Sequence, residues 1–134
     1  FMLGEPYEDG PYTQAYVDGL LHRLAEEISV KYIVLTGVYF DDKELGAAVY
    51  DAVSDEVQYV LGENIPGSYH GTGDVFGSAF IGAAVSGRSM TEAARIAVDY
   101  TVDCIAWTKE AGTDIRYGVN FERYLGSYSR KLGL

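Results

Sequence analysis

From Gly67 to Phe80 the chain reads GSYHGTGDVFGSAF: four glycines and one aspartate, then an abruptly apolar run. No other stretch restricts the fold as much. Glycines at this density permit backbone turns that other residues resist, and the small-residue run behind them suits a closely packed helix. Two readings follow. In the structural one, the glycines allow a tight turn and Thr72 or Asp74 caps the helix. In the chemical one, Gly71 and Gly73 take positive φ and turn consecutive N–H groups toward one point. Together with the helix dipole, those groups make an anion site. Asp74 would then sit beside bound phosphate, placed to accept a hydroxyl proton.

Two familiar nucleotide motifs are excluded. The pattern G-x-x-x-x-G-K-[ST] is absent, so this is not a P-loop. The glycines of GTGDVFG occupy the first, third and seventh positions, one residue too wide for the dinucleotide fingerprint, and IPGSYH before it is no buried strand.

The 134 residues suit one compact domain. Hydrophobic residues make up 48% and charged residues 22%, a balance that supports a core and argues against disorder. The formal net charge of -10, with ten scattered Lys and Arg, makes nucleic acid and membrane surfaces unexpected partners. A polyanion must then be met by backbone dipoles or a metal. The single cysteine, Cys104, excludes an internal disulfide. It falls on the apolar side of a helical pattern, the position of a buried, inert thiol. No stretch is long and apolar enough to span a bilayer and no secretory leader opens the chain, so the expected location is cytoplasmic.

Along the chain, FMLG reads as the last turn of a helix with Gly4 as its C-cap, which implies preceding residues. Glu5 to Tyr12 reads as a loop. Thr13 to Ile28 shows helical spacing of Tyr16, Leu20, Leu21, Leu24 and Ile28, with His22 near the solvated side. KYIVLTGV is a continuous apolar run, expected as a parallel-sheet strand buried on both faces. LGAAVYDAV and EVQYVL around Ser54 and Asp55 read as an appended antiparallel hairpin. Asn64 to His70 connects to a helix over Val75 to Val85, which Gly87 ends. Ser89 with Glu92 forms a capping box for the next helix, whose inner face runs Ala93, Ala97, Tyr100, Thr101, Cys104 and Thr108. After a loop from Gly112 to Gly118, a last helix places Phe121, Leu125, Tyr128 and Leu132 on one side.

VLTG, then a hairpin, then IPGSYHGTGDVF and a late YGVNFE resemble the C-terminal half of pyridoxal/pyridoxamine kinases, vitamin B6 kinases of the ribokinase superfamily. The resemblance implies an α/β fold: a partial ribokinase-like three-layer architecture with a mixed sheet, a β-hairpin and flanking helices. Residues 1–134 would form the C-terminal part of that kinase domain. It implies ATP-dependent phosphorylation of the 5′-hydroxyl of pyridoxal, pyridoxamine or pyridoxine. Asp74 would be the catalytic base, and the amides of Gly71, Thr72 and Gly73 the anion hole. Thr36, beside Gly37, would contact the nucleotide phosphates, and the segment from Asn64 to Tyr69 would line the adenine side. ATP and Mg2+ are the implied cofactors. The family's Asn-x-x-Glu motif, which helps organise magnesium, falls upstream of Phe1, so no metal ligand is assigned to these residues.

Two rival readings stay open. One is a hydroxymethylpyrimidine or sugar kinase of the same superfamily; the other is a non-catalytic phosphate-binding module. Among smaller candidates, His70 could touch phosphate or be merely structural. Asp41, Asp42, Glu44 and Glu63 match no calcium loop and read as a solvated acidic surface. The twelve tyrosines are assigned to core and surface, and Trp107 to packing. An uncovered KYIVLTGV edge would pair with a second copy, so a homo-oligomer is expected.

Overall fold

Thr13 opens the first helix, α1 (Gln14–Ile28), its hydroxyl oxygen accepting the Tyr16 N–H at 3.1 Å. The helix buries Val17, Leu21 and Leu24, a stripe turned slightly from the expected one, with Tyr16, Leu20 and Ile28 only partly covered. Three strands follow: β1 (Tyr32–Val38), β2 (Glu44–Asp51) and β3 (Glu56–Glu63), in the spatial order β1-β2-β3. In this computed structural model the described residues are 2–134, and they form two compact units, 2–61 and 62–134. Phe1 of the FMLG stretch lies outside the described residues; Met2 and Leu3 form a turn, and Gly4 has φ 66°.

The expected hairpin is present: the turn at residues 52–55 joins β2 to β3, as a short connection between neighbouring antiparallel strands must. The strand over KYIVLTGV also forms, but in different surroundings. β1 runs antiparallel to β2, with Ile33 opposite Tyr50 and Leu35 opposite Ala48, and it is an edge strand. Only Val38 of β1 is fully buried, and Tyr32, Thr36 and Gly37 are exposed. The fold class is α/β as expected, but among the described residues the sheet holds no parallel pair and β1 is not covered on both faces. At β2 the strands approach closely: a Cβ on Gly46 would run into the backbone of Val60 and Leu61. Val17, Leu21, Val38, Ala48 and Tyr50 form the core of this unit.

In residues 62–134 the helices α2 (Thr72–Val85), α3 (Met90–Ala111) and α4 (Leu125–Leu132) dominate. The Ser89–Glu92 capping box is made in both directions. All six residues expected on the inner face of α3 are buried. Small residues let α2 and α3 come close: Ala79 and Ala83 are buried on one helix, Ala93, Ala94 and Ala97 on the other. Tyr100, Cys104 and Val119 complete the core. Burial raises the Cys104 thiol to about 11, as an inert structural cysteine requires. Among the described residues no helix is long and apolar enough to cross a membrane.

Candidate functional site

The glycine stretch ends where α2 begins. Gly71 occupies the N-cap with φ 83° and ψ 3°, a left-handed geometry that favours glycine. No side chain caps the helix. Thr72, Gly73 and Asp74 therefore form its first turn, and the expected capping by Thr72 or Asp74 is not made. Gly73 is helical as well, so only Gly71 of the two glycines takes the positive φ expected of both. The first amide with an acceptor in the helix is Val75 N, bonded to Gly71 O at 3.0 Å. By helix geometry, the N–H groups of residues 72–74 point out of the helix end. Gly71, Gly73 and Asp74 are exposed. Open amides, the positive end of the dipole and room for a ligand thus coincide.

Gly118 and Val119 lie against this terminus. Val119 N donates to His70 O at 3.0 Å, so the residue just before the N-cap is pinned by its carbonyl. The Thr108 hydroxyl donates to Cys104 O at 2.7 Å and accepts from Asn120 N at 2.8 Å. Tyr100 donates to Phe121 O at 2.7 Å. Beside these contacts lies a cleft of about 310 Å³ lined by Asp74, Val75, Ser78, Tyr100, Phe121 and Tyr128, among others. Asp74 and Ser78 are four residues apart and share one helix face. Burial holds Tyr100 up at about 12 and raises Tyr128, whose hydroxyl donates to Ala79 O at 2.9 Å. With both phenols committed to carbonyls, the Asp74 carboxyl and the Ser78 hydroxyl are the polar side chains left facing an aromatic wall.

The other expected site residues lie on other segments of the chain. Asn64 and Tyr69 are half-buried in the connection before α2, and the Tyr69 hydroxyl lies 3.4 Å from Pro66 O. His70 is exposed and contributes its carbonyl. Thr36 and Gly37 belong to the first unit. Gly37, with φ 74°, is the extra residue of a bulge between the Thr36–Ala47 and Val38–Gly46 pairs. They line a groove of about 420 Å³ with Tyr12, Tyr16 and Leu20 of the same unit. Asp41 caps its own turn, accepting from Lys43 N and Glu44 N at 2.8 and 3.3 Å. Sequence reasoning missed Ser78 and Tyr100 as cleft residues; the Asp74–Ser78 helical spacing was the available signal. His22 departs from expectation too: its Nε2 lies 2.7 Å from Asp55 Oδ1 rather than being merely solvated.

Taken together, the sheet, helices and glycine-led α2 are those of a ribokinase-like kinase fold. A family model for phosphomethylpyrimidine kinase matches residues 9–119, and the chain belongs to that family. It superposes on a pyridoxal kinase from Lactobacillus plantarum with a TM-score of 0.79 and 26% identity, over 98% of this chain and 45% of that one. A Bacteroides thetaiotaomicron protein assigned as a phosphomethylpyrimidine kinase gives 0.84 and 25%, over 95% of this chain and 43% of that one. An orthorhombic form with the same assignment, crystallised with pyridoxal, gives 0.80 and 24%, over 98% and 45%. This chain spans less than half the length of these structures. No curated protein matches its sequence.

Proposed function

We propose that this chain carries the phosphate-holding and proton-accepting part of an ATP-dependent kinase, one acting on a hydroxymethyl group of a pyridine ring. Its substrate on this reading is a B6 vitamer, phosphorylated at the 5′-hydroxyl. One observation carries the proposal: an uncapped helix terminus whose first-turn carboxylate also lines an aromatic cleft. ATP supplies the phosphoryl group. The amides of Thr72, Gly73 and Asp74, one residue along from the expected set of Gly71, Thr72 and Gly73, hold its oxygens, and the Asp74 carboxylate takes the proton as the substrate oxygen attacks. Backbone donors fit a chain this acidic, because they bind phosphate without a basic side chain. Among the described residues no three His, Cys, Asp or Glu side chains cluster to hold a metal, and no step is assigned to magnesium here.

The match to the phosphomethylpyrimidine kinase family supports a second reading, in which the ring is a hydroxymethylpyrimidine. Comparing kcat/KM for pyridoxal and for hydroxymethylpyrimidine separates the two. The role of Asp74 is tested on the protein at the full length of its relatives. Asp74→Asn keeps size and hydrogen bonding but accepts no proton, so turnover should fall by roughly 10²–10⁴-fold. The KM for ATP should barely change. Near-normal turnover would reduce the terminus to a structural feature.

A further inference from the structure

Outside the candidate site, one cluster links elements distant in sequence. His22, in the middle of α1, places Nδ1 2.6 Å from the carbonyl oxygen of Asp18 and Nε2 2.7 Å from Asp55 Oδ1. The same carboxylate oxygen accepts the Tyr50 hydroxyl at 2.9 Å. The His22 and Tyr50 rings sit 5.0 Å apart. Asp55 closes the β2–β3 turn at φ 58°, a left-handed conformation that costs a non-glycine residue energy. The other end of that turn is held by Asp51 Oδ1, which accepts Val53 N at 2.8 Å.

Both ring nitrogens of His22 therefore face oxygens that only accept. A neutral imidazole carries one N–H and can satisfy one of them; the second nitrogen would turn a lone pair toward an oxygen lone pair. Only the imidazolium makes both bonds. We propose that His22, Asp55 and Tyr50 form a pH-sensitive latch, which fastens the β2–β3 turn to α1 while the imidazole is charged and releases it on deprotonation. The surroundings favour the charged ring. Asp18 and Glu26 lie on α1, Asp51 and Tyr50 on β2, and Asp55 in the turn, and none of them is cationic. The Asp18 carbonyl, then the Asp55 carboxylate, hold the His22 imidazole above its ordinary value, and Tyr50 and His22 hold Asp55 below its own.

The sign follows from the raised imidazole. The latch is fully engaged below the unfolded histidine value of about 6.5 and is lost as pH rises through the higher folded value. Because the His22 and Asp55 side chains are 44% and 68% exposed, the pairing is open to salt screening. The test is an NMR titration of the 134-residue chain from pH 5 to 9. It follows the His22 ring signals and the exchange of amides 52–55, corrected for intrinsic base catalysis. The imidazole should titrate at lower pH in Asp55→Asn than in the parent. Turn amides should lose protection several-fold across that titration in the parent, and show no such step in His22→Gln. An unchanged His22 titration in Asp55→Asn, or turn protection that stays flat through it, would overturn the latch.

Discussion

Gly73 offers a sharp separation of structure from chemistry. Its backbone is helical, and a Cβ built on it meets nothing within 4 Å. The fold therefore has no use for glycine here. Replacing glycine by alanine gains about 0.5–1 kcal/mol in a helix interior, and the lower figure suits a first turn. For a unit the size of residues 62–134, about 0.5 kcal/mol raises Tm by about 2–4 °C. The ligand tells the opposite story. A helical Cβ tilts toward the N-terminus, so the new methyl would stand where phosphate oxygens reach the open amides. Loss of one charge-assisted hydrogen bond costs about 1.5 kcal/mol, or about tenfold in affinity. Gly71→Ala is the control: at φ 83° it should lose about 1–2 kcal/mol of stability through backbone strain alone. Urea unfolding can be read from Trp107, whose ring carries the Arg123 guanidinium at 3.8 Å within the same unit. Inorganic phosphate and ATP titrations read the amides. A Gly73→Ala chain that is more stable and binds phosphate as before would refute the anion site.

Three further outcomes are expected. Gly46→Ala forces a methyl against the Val60 and Leu61 backbone, which cannot swing aside, and should cost about 1–3 kcal/mol in denaturant unfolding; a neutral substitution would mean the strands can separate there freely. Cys104, buried and raised to about 11, should resist thiol reagents at pH 8 until urea unfolds the chain, and rapid labelling of the folded protein would contradict that burial. β1 presents an edge, so self-association by strand pairing is expected, and sedimentation of a clean monomer at high concentration would count against it.

Local chemistry was readable where one residue decides one bond. Ser89 caps the helix it was expected to cap, whereas Thr13, read as the first residue of its helix, turns out to be the cap; the apolar spacing of α3 located its buried face. The apolar run of β1 was readable as a strand but not as an edge. Continuous hydrophobicity says that a strand's faces tend to be covered, not what covers them, and in residues 2–61 the only strand paired with β1 is β2. Gly73 misled for a related reason: glycine permits positive φ without demanding it. The His22–Asp55 bond joins residues 33 positions apart, and only the path of the hairpin brings them together.

The geometry at Asp74 depends on the same kind of distant contact. The N-cap glycine follows His70, and the His70 carbonyl is held by Val119. Asn120, next in sequence, is tied to Thr108, and Phe121 to Tyr100, both on the inner face of α3. The helix that looks like plain core in the sequence thus fixes the segment that fixes the turn. Thr108 is one anchor of this coupling, because its one hydroxyl both donates to Cys104 O and accepts Asn120 N. A valine there would keep the volume and leave the Asn120 amide without its acceptor. The open amides of α2 are therefore a product of long-range packing as much as of the glycines that first drew attention to them.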